Sequence, residues 1–193
     1  MSTTVHRPGA RLALAASVSK VLPPALVLAV LVLLAGIEAE LGPLGVVALL
    51  ACIVGIPGTI YKASKRPFQR RGLPDRLRIK ILAVLTFTGM VVCFLIPVPS
   101  PVPLTVAALF LGNVSLVFFR RWLNVSAHVS VITFAALWVM STYGGAWAWL
   151  LILSPLMIFS RVSLREHTWR EALSGASLGL ATFCCFLAAM TWS

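Results

Sequence analysis

Apolar residues run in long blocks along this chain, and polar residues crowd into the gaps between them. The blocks fall at about 19–37, 43–61, 79–96, 102–119, 127–143, 145–159 and 171–191, several of them reaching the ~20 residues that carry a helix across a bilayer. A segment inside lipid must satisfy its own backbone hydrogen bonds, so the pattern predicts an all-α polytopic membrane protein, a bundle of six to seven transmembrane helices. The gaps read as turns. Leu95–Pro103 holds four prolines, which remove donors and keep the chain extended. Ser141-Thr142-Tyr143-Gly144-Gly145 and Glu38-Ala39-Glu40-Leu41-Gly42-Pro43 end their helices in the same way.

Composition excludes a soluble reading. Of 193 residues, 60% are hydrophobic and 11% charged, too few polar groups to cover a water-facing surface. The absence of repeats and low-complexity stretches makes residues 1–193 one integral membrane domain, preceded over 1–18 by a cytoplasmic tail read as disordered. The first apolar run follows Lys20 and Pro23-Pro24, lacks a small-residue cleavage site and reads as a retained helix. Cys52, Cys93, Cys184 and Cys185 lie in apolar runs without zinc or disulfide spacing and read as packing residues.

Charge orients the bundle. The 16 Lys and Arg residues all lie in the tail (Arg7, Arg11, Lys20) or in the segments Lys62–Lys80, Arg120-Arg121 and Arg161–Arg170. With seven crossings these regions share one side, and the opposite loops carry Glu38 and Glu40. The positive-inside rule then places the N-terminus and all three basic segments in the cytoplasm of a cell whose plasma or inner membrane holds the protein.

Three polar clusters carry candidate chemistry. One is Ser160-Arg161, five residues, His167, three residues, Glu171. Residues four apart share a helix face, so Glu171 is placed to hydrogen-bond the His167 imidazole and fix its tautomer. Another is Asn124-Val125-Ser126-Ala127-His128, opening the fifth helix, where free amides and the positive dipole end suit an anion. The densest spans Tyr61–Arg78. Most of its cations read as a cytoplasmic loop against anionic headgroups, with an inward subset able to clamp phosphate oxygens.

Taken in order, these clusters resemble the type 2 phosphatidic acid phosphatase superfamily, the lipid phosphatases related to vanadium haloperoxidases, over about residues 60–190. The family's third motif is Ser-Arg, five residues, His, three residues, Asp; Glu171 keeps the carboxylate here, and Ala172–Gly179 looks like the small-residue helix that follows. Its second motif, Pro-Ser-Gly-His, is reduced to Val125-Ser126-Ala127-His128. Its first, a Lys separated by six residues from Arg-Pro, has Lys62, Lys65, Arg70, Arg71 and Arg76 as candidates, no pair with the family spacing.

The resemblance implies that His167 attacks phosphorus, that Glu171 orients it, and that His128 protonates the leaving oxygen and then activates water. Ser126, Ser160, Arg161 and a first-motif Lys and Arg would hold the phosphate. Fixed positive donors suit phosphoryl transfer, and no metal or other cofactor is expected. The expected substrate is an amphiphilic phosphate monoester or diphosphate, such as a polyprenyl phosphate or diphosphate, phosphatidic acid, phosphatidylglycerol phosphate or a prenyl-linked phosphosugar. A cytoplasmic site would favour a biosynthetic intermediate. The partners are thus a lipid phosphate and the bilayer, with no nucleic acid; a homo-oligomer stays open. Two alternatives remain: a phosphotransferase on the same fold, and a non-enzymatic transporter or lipid-binding protein.

Overall fold

The computed structural model describes residues 10–73, 75–119 and 121–192. It is 84% helix, with no strand among the described residues. The helices are α1 (Ala10–Val21), α2 (Pro24–Glu38), α3 (Pro43–Leu50), α4 (Ile56–Ala63), α5 (Lys65–Arg70), α6 (Asp75–Leu95), α7 (Val102–Phe119), α8 (Ala127–Tyr143), α9 (Leu153–Ser163) and α10 (Trp169–Trp192). A π-helical segment, Ala51–Gly55, joins α3 to α4, and a 3₁₀ segment, Gly145–Ile152, leads into α9. The wide π turn has a cause in sequence: Pro57 lies just beyond it, lacks an amide donor and crowds the carbonyl four residues back.

Each apolar block falls on helix, and the breaks sit where the punctuation put them. Pro43 opens α3, and Glu40 before it takes a positive φ of 54°. The proline-rich stretch separates α6 from α7, and Gly144, at φ 92°, ends α8 in a conformation that favours glycine. By length and apolarity, four stretches can cross a membrane: Pro43–Arg70, Val102–Phe119, Gly145–Ser163 and Trp169–Trp192. Arg11–Val21 and Pro24–Glu38, interrupted at Leu22-Pro23, make a fifth if they act as one span. Lys80–Leu95 and Ala127–Tyr143 are apolar but shorter. The protein is therefore an all-α, membrane-embedded chain in which, among the described residues, four to five stretches are long and apolar enough to span. Large apolar side chains face outward in numbers, Leu44 at 83% exposure among them, as lipid contact requires. Of the four free cysteines only Cys93 is buried, so Cys52, Cys184 and Cys185 belong to the apolar surface instead of the core.

Where the sequence reads as one domain, the chain groups into two compact units. One comprises the chain up to Pro24 together with Phe119–Leu180; the other comprises Ala25–Phe118 and the chain from Ala181. The tail reading over 1–18 is replaced in part by α1, which packs against α9 in the first unit; residues 1–9 lie outside the described residues. Helix α8 is central to that unit, packing on α9 and the 3₁₀ segment. Val129, Ile132, Phe134, Ala136 and Trp138 are all buried around it, as befits a helix apolar on every side. Polar Thr133 fits there because its hydroxyl donates to the Val129 carbonyl at 2.8 Å, and accepts from Ser154 of α9 at 2.7 Å.

Candidate functional site

Two glycines set the distance between the second and third polar clusters. Gly175 and Gly179 lie one turn apart on α10, and a Cβ on either would come within 2.6 Å of the Ser126 carbonyl oxygen and 2.4 Å of the Ser130 carbonyl oxygen. The backbones of α8 and α10 thus approach more closely than any larger residue permits, the small-xxx-small packing of membrane helices. A direct bond fixes the register: the Ser126 amide donates to the Glu171 carbonyl at 3.1 Å. The start of α8, which carries His128, is in this way seated on the first turn of α10.

The connection from α9 to α10 shapes the other side. The Arg161 carbonyl accepts from the amides of Glu166 at 3.1 Å and His167 at 3.3 Å, while Arg165 takes a left-handed φ of 56°. This is a Schellman-type helix ending with arginine where glycine is usual, a strained choice at roughly 1 kcal/mol. It curls His167 back over the end of α9. Arg161 itself is buried, at 5% exposure, and one of its terminal nitrogens is paired with the Glu166 carboxylate.

Glu171 reaches His167 by a different route from the one the spacing suggested. His167 lies before α10 begins, so the two do not share a helix face. Thr168 and Glu171 form a reciprocal capping box: the Thr168 amide donates to Glu171 Oε2 at 2.7 Å and the Glu171 amide donates to Thr168 Oγ1 at 3.3 Å. The same Oε2 lies 3.5 Å from His167 Nδ1, an ion-pair distance too long for a hydrogen bond. The carboxylate is thus held by the cap first and faces the imidazole second.

Among the described residues, the buried side-chain nitrogen and oxygen atoms without a hydrogen-bond partner are Ser126 Oγ, Arg161 Nε and His167 Nδ1. Each is in the second or third cluster. Ser126 is fully buried and occupies the N-cap position of α8, yet its hydroxyl caps no amide there. Serine at that position ordinarily spends its oxygen on the helix, which makes the unused hydroxyl informative. The first-turn amides of α8 are left without a side-chain cap as well. Arg161 and His167 are both electrostatic neighbours of His128, which brings the two histidines and the arginine into one locality.

Five other residues were expected to hold phosphate. Ser160 is buried, and its hydroxyl donates to the Ala15 carbonyl of α1 at 2.6 Å; its one proton is committed to holding α1 on α9. Lys62, Lys65, Arg70 and Arg71 belong to the other compact unit, on α4, α5 and the residue after it, and all four are exposed. The Arg76 side chain is outside the described residues. A cavity of about 350 Å³ in that unit is lined by Phe68, Leu77, Lys80, Ile81, Val84 and Leu85, with apolar walls that supply no chemistry. No group of three His, Cys, Asp or Glu gathers among the described residues as it would around a metal.

The sequence reading gave no role in the site to four contributors. Thr168 had a signal, the Thr-x-x-Glu spacing of a capping box. Gly175 and Gly179 had one too, the G-x-x-x-G spacing in an apolar run. Glu166 had none, because its pairing with Arg161 follows from the unusual turn at Arg165. Compared with models of protein families, with curated proteins and with solved structures, the chain gives no match.

Proposed function

We propose that this protein is a membrane lipid phosphatase that works through a phosphohistidine and needs no metal. The observation that carries the reading is a pair of unpartnered buried donors, the Ser126 hydroxyl and the Arg161 Nε–H, beside helix amides without a side-chain cap. Burying such groups without partners costs free energy, and an anion with several oxygens is the ligand that would satisfy them together. A tetrahedral phosphate offers those oxygens, and a helix N-terminus already favours negative charge.

The chemistry proposed for these groups has two steps. With its Nδ1 proton turned to Glu171, His167 presents the Nε2 lone pair, and the 3.5 Å contact shortens as charge develops on the ring. Nε2 attacks phosphorus, the bond to the lipid oxygen breaks, and His128 gives that oxygen a proton. His128 then takes a proton from water, the hydroxide attacks phosphorus, the P–N bond breaks and phosphate departs. Ser126 Oγ, Arg161 Nε and the first amides of α8 hold the non-bridging oxygens, where the charge of the transition state is spread. The amides supply part of what an intact Pro-Ser-Gly-His motif would.

A substrate with an apolar tail suits a site on an apolar bundle: the tail lies among the outward-facing side chains and the phosphate meets the donors. The reading keeps the six to seven crossings of the apolar pattern, with the site on the cytoplasmic face. The test is phosphate release by the purified chain from a panel of lipid phosphates in the presence of a chelator. His167→Ala is expected to lower release at least ~10³-fold and His128→Ala by ~10²-fold or more. Unimpaired release by His167→Ala sinks the reading, and phosphate appearing on an added lipid or sugar alcohol redirects it to phosphotransfer.

A further inference from the structure

Arg161 is the one buried cation of the candidate site, and Glu166 is the group that neutralises it. Their surroundings differ. The Arg161 side chain is 6% exposed and locked at the end of α9, whereas the Glu166 side chain is 49% exposed on the turn that follows. A buried guanidinium needs a counter-charge at all times; a half-exposed carboxylate can give up its partner and be rehydrated. The pairing also leaves Arg161 Nε unsatisfied, so Glu166 fills the arginine's capacity incompletely. Glu166 is held close by its own amide, which donates to the Arg161 carbonyl, so it returns to the same place whenever the locus empties.

We infer that Glu166 is a specificity-determining residue, a resident carboxylate that stands in for the substrate's phosphate and yields only to a ligand of higher charge. The inference rests on the phosphatase reading of the same site and adds a substrate class to it. A terminal phosphomonoester carries between one and a half and two negative charges at neutral pH, about −1.5 to −2, and three acceptor oxygens. It outbids one carboxylate. A phosphodiester headgroup carries a single charge and two free oxygens, no advantage over Glu166. The bilayer's bulk diester lipids are thereby kept off Arg161, although they far outnumber any monoester, and terminal phosphates and diphosphates are admitted.

The experiment uses the full chain in mixed micelles, with phosphatidic acid as the turnover probe and phosphatidylglycerol as the diester competitor. Glu166→Gln, which keeps the shape and removes the charge, is expected to lower KM and strengthen inhibition by phosphatidylglycerol, each by roughly tenfold, the worth of one charge-assisted hydrogen bond. The change falls on KM more than on kcat, and Glu166→Asp retains wild-type discrimination. Wild-type turnover with unchanged KM and unchanged inhibition in Glu166→Gln overturns the inference alone. Absence of wild-type turnover on every lipid phosphate sinks the phosphatase reading itself. If the variant does not fold, the wild type decides: inorganic phosphate must inhibit at least about tenfold more strongly than dimethyl phosphate, and equal inhibition overturns the inference.

Discussion

The chain holds two polar regions of opposite character. Lys62–Lys80 is dense in charge, and its described cations are exposed. The region from Ser126 to Glu171 has few charges, but it buries Ser126 and Arg161 and leaves polar atoms there unpartnered. Charge density is therefore a poor guide to chemistry in a membrane protein, because solvated cations serve insertion and headgroup contact equally well. A buried polar atom with no partner carries an energetic debt, and only a ligand or a rearrangement settles it.

This contrast breaks most readily at Arg161. Arg161→Ala is expected to reduce phosphate release by roughly a hundredfold to a thousandfold, the loss that follows removal of a preorganised oxyanion donor. A loss no greater than that of an exposed lysine would erase the distinction between the regions. Gly175→Ala probes the same region through its packing: the added methyl meets the Ser126 carbonyl, so α10 must move off α8. Thermal unfolding in detergent should report a loss of about 1–3 kcal/mol, with Gly179→Ala behaving alike. Smaller still is Ser160→Ala, which frees the Ala15 carbonyl and is expected to destabilise by about 1 kcal/mol while sparing turnover per folded molecule. A turnover defect without a stability defect would return Ser160 to the phosphate ligands. At the low end, replacing Lys62, Lys65, Arg70 or Arg71 singly by Gln should change turnover by less than about threefold and weaken binding to anionic vesicles by about 1 kcal/mol each. A single position with a much larger turnover effect would identify the first-motif ligand.

Helical class and the breaks between helices were legible, since proline, glycine and apolar block length act locally. His128 and His167 were legible as a pair because ionisable groups stand out against an apolar chain. Their means of meeting was not. It depends on two missing methyl groups at Gly175 and Gly179, on a backbone bond from Ser126 to Glu171, and on a left-handed arginine, all contacts between residues distant in sequence or conformations contrary to residue preference. Glu171 shows the limit well: the residue was singled out with good reason, yet the spacing argument assumed a helix that starts two residues later than His167. The bond from Ser160 to Ala15 was not legible, because its acceptor is a backbone carbonyl, which no sequence pattern marks.

The bond between Ser160 and Ala15 joins positions 145 residues apart, so the earliest helix of the chain finds its partner only when most of the polypeptide has been made. During synthesis α1 must therefore wait, its docking surface vacant, until α9 is delivered. The arginine and histidine beside that joint acquire their arrangement among the last events of assembly.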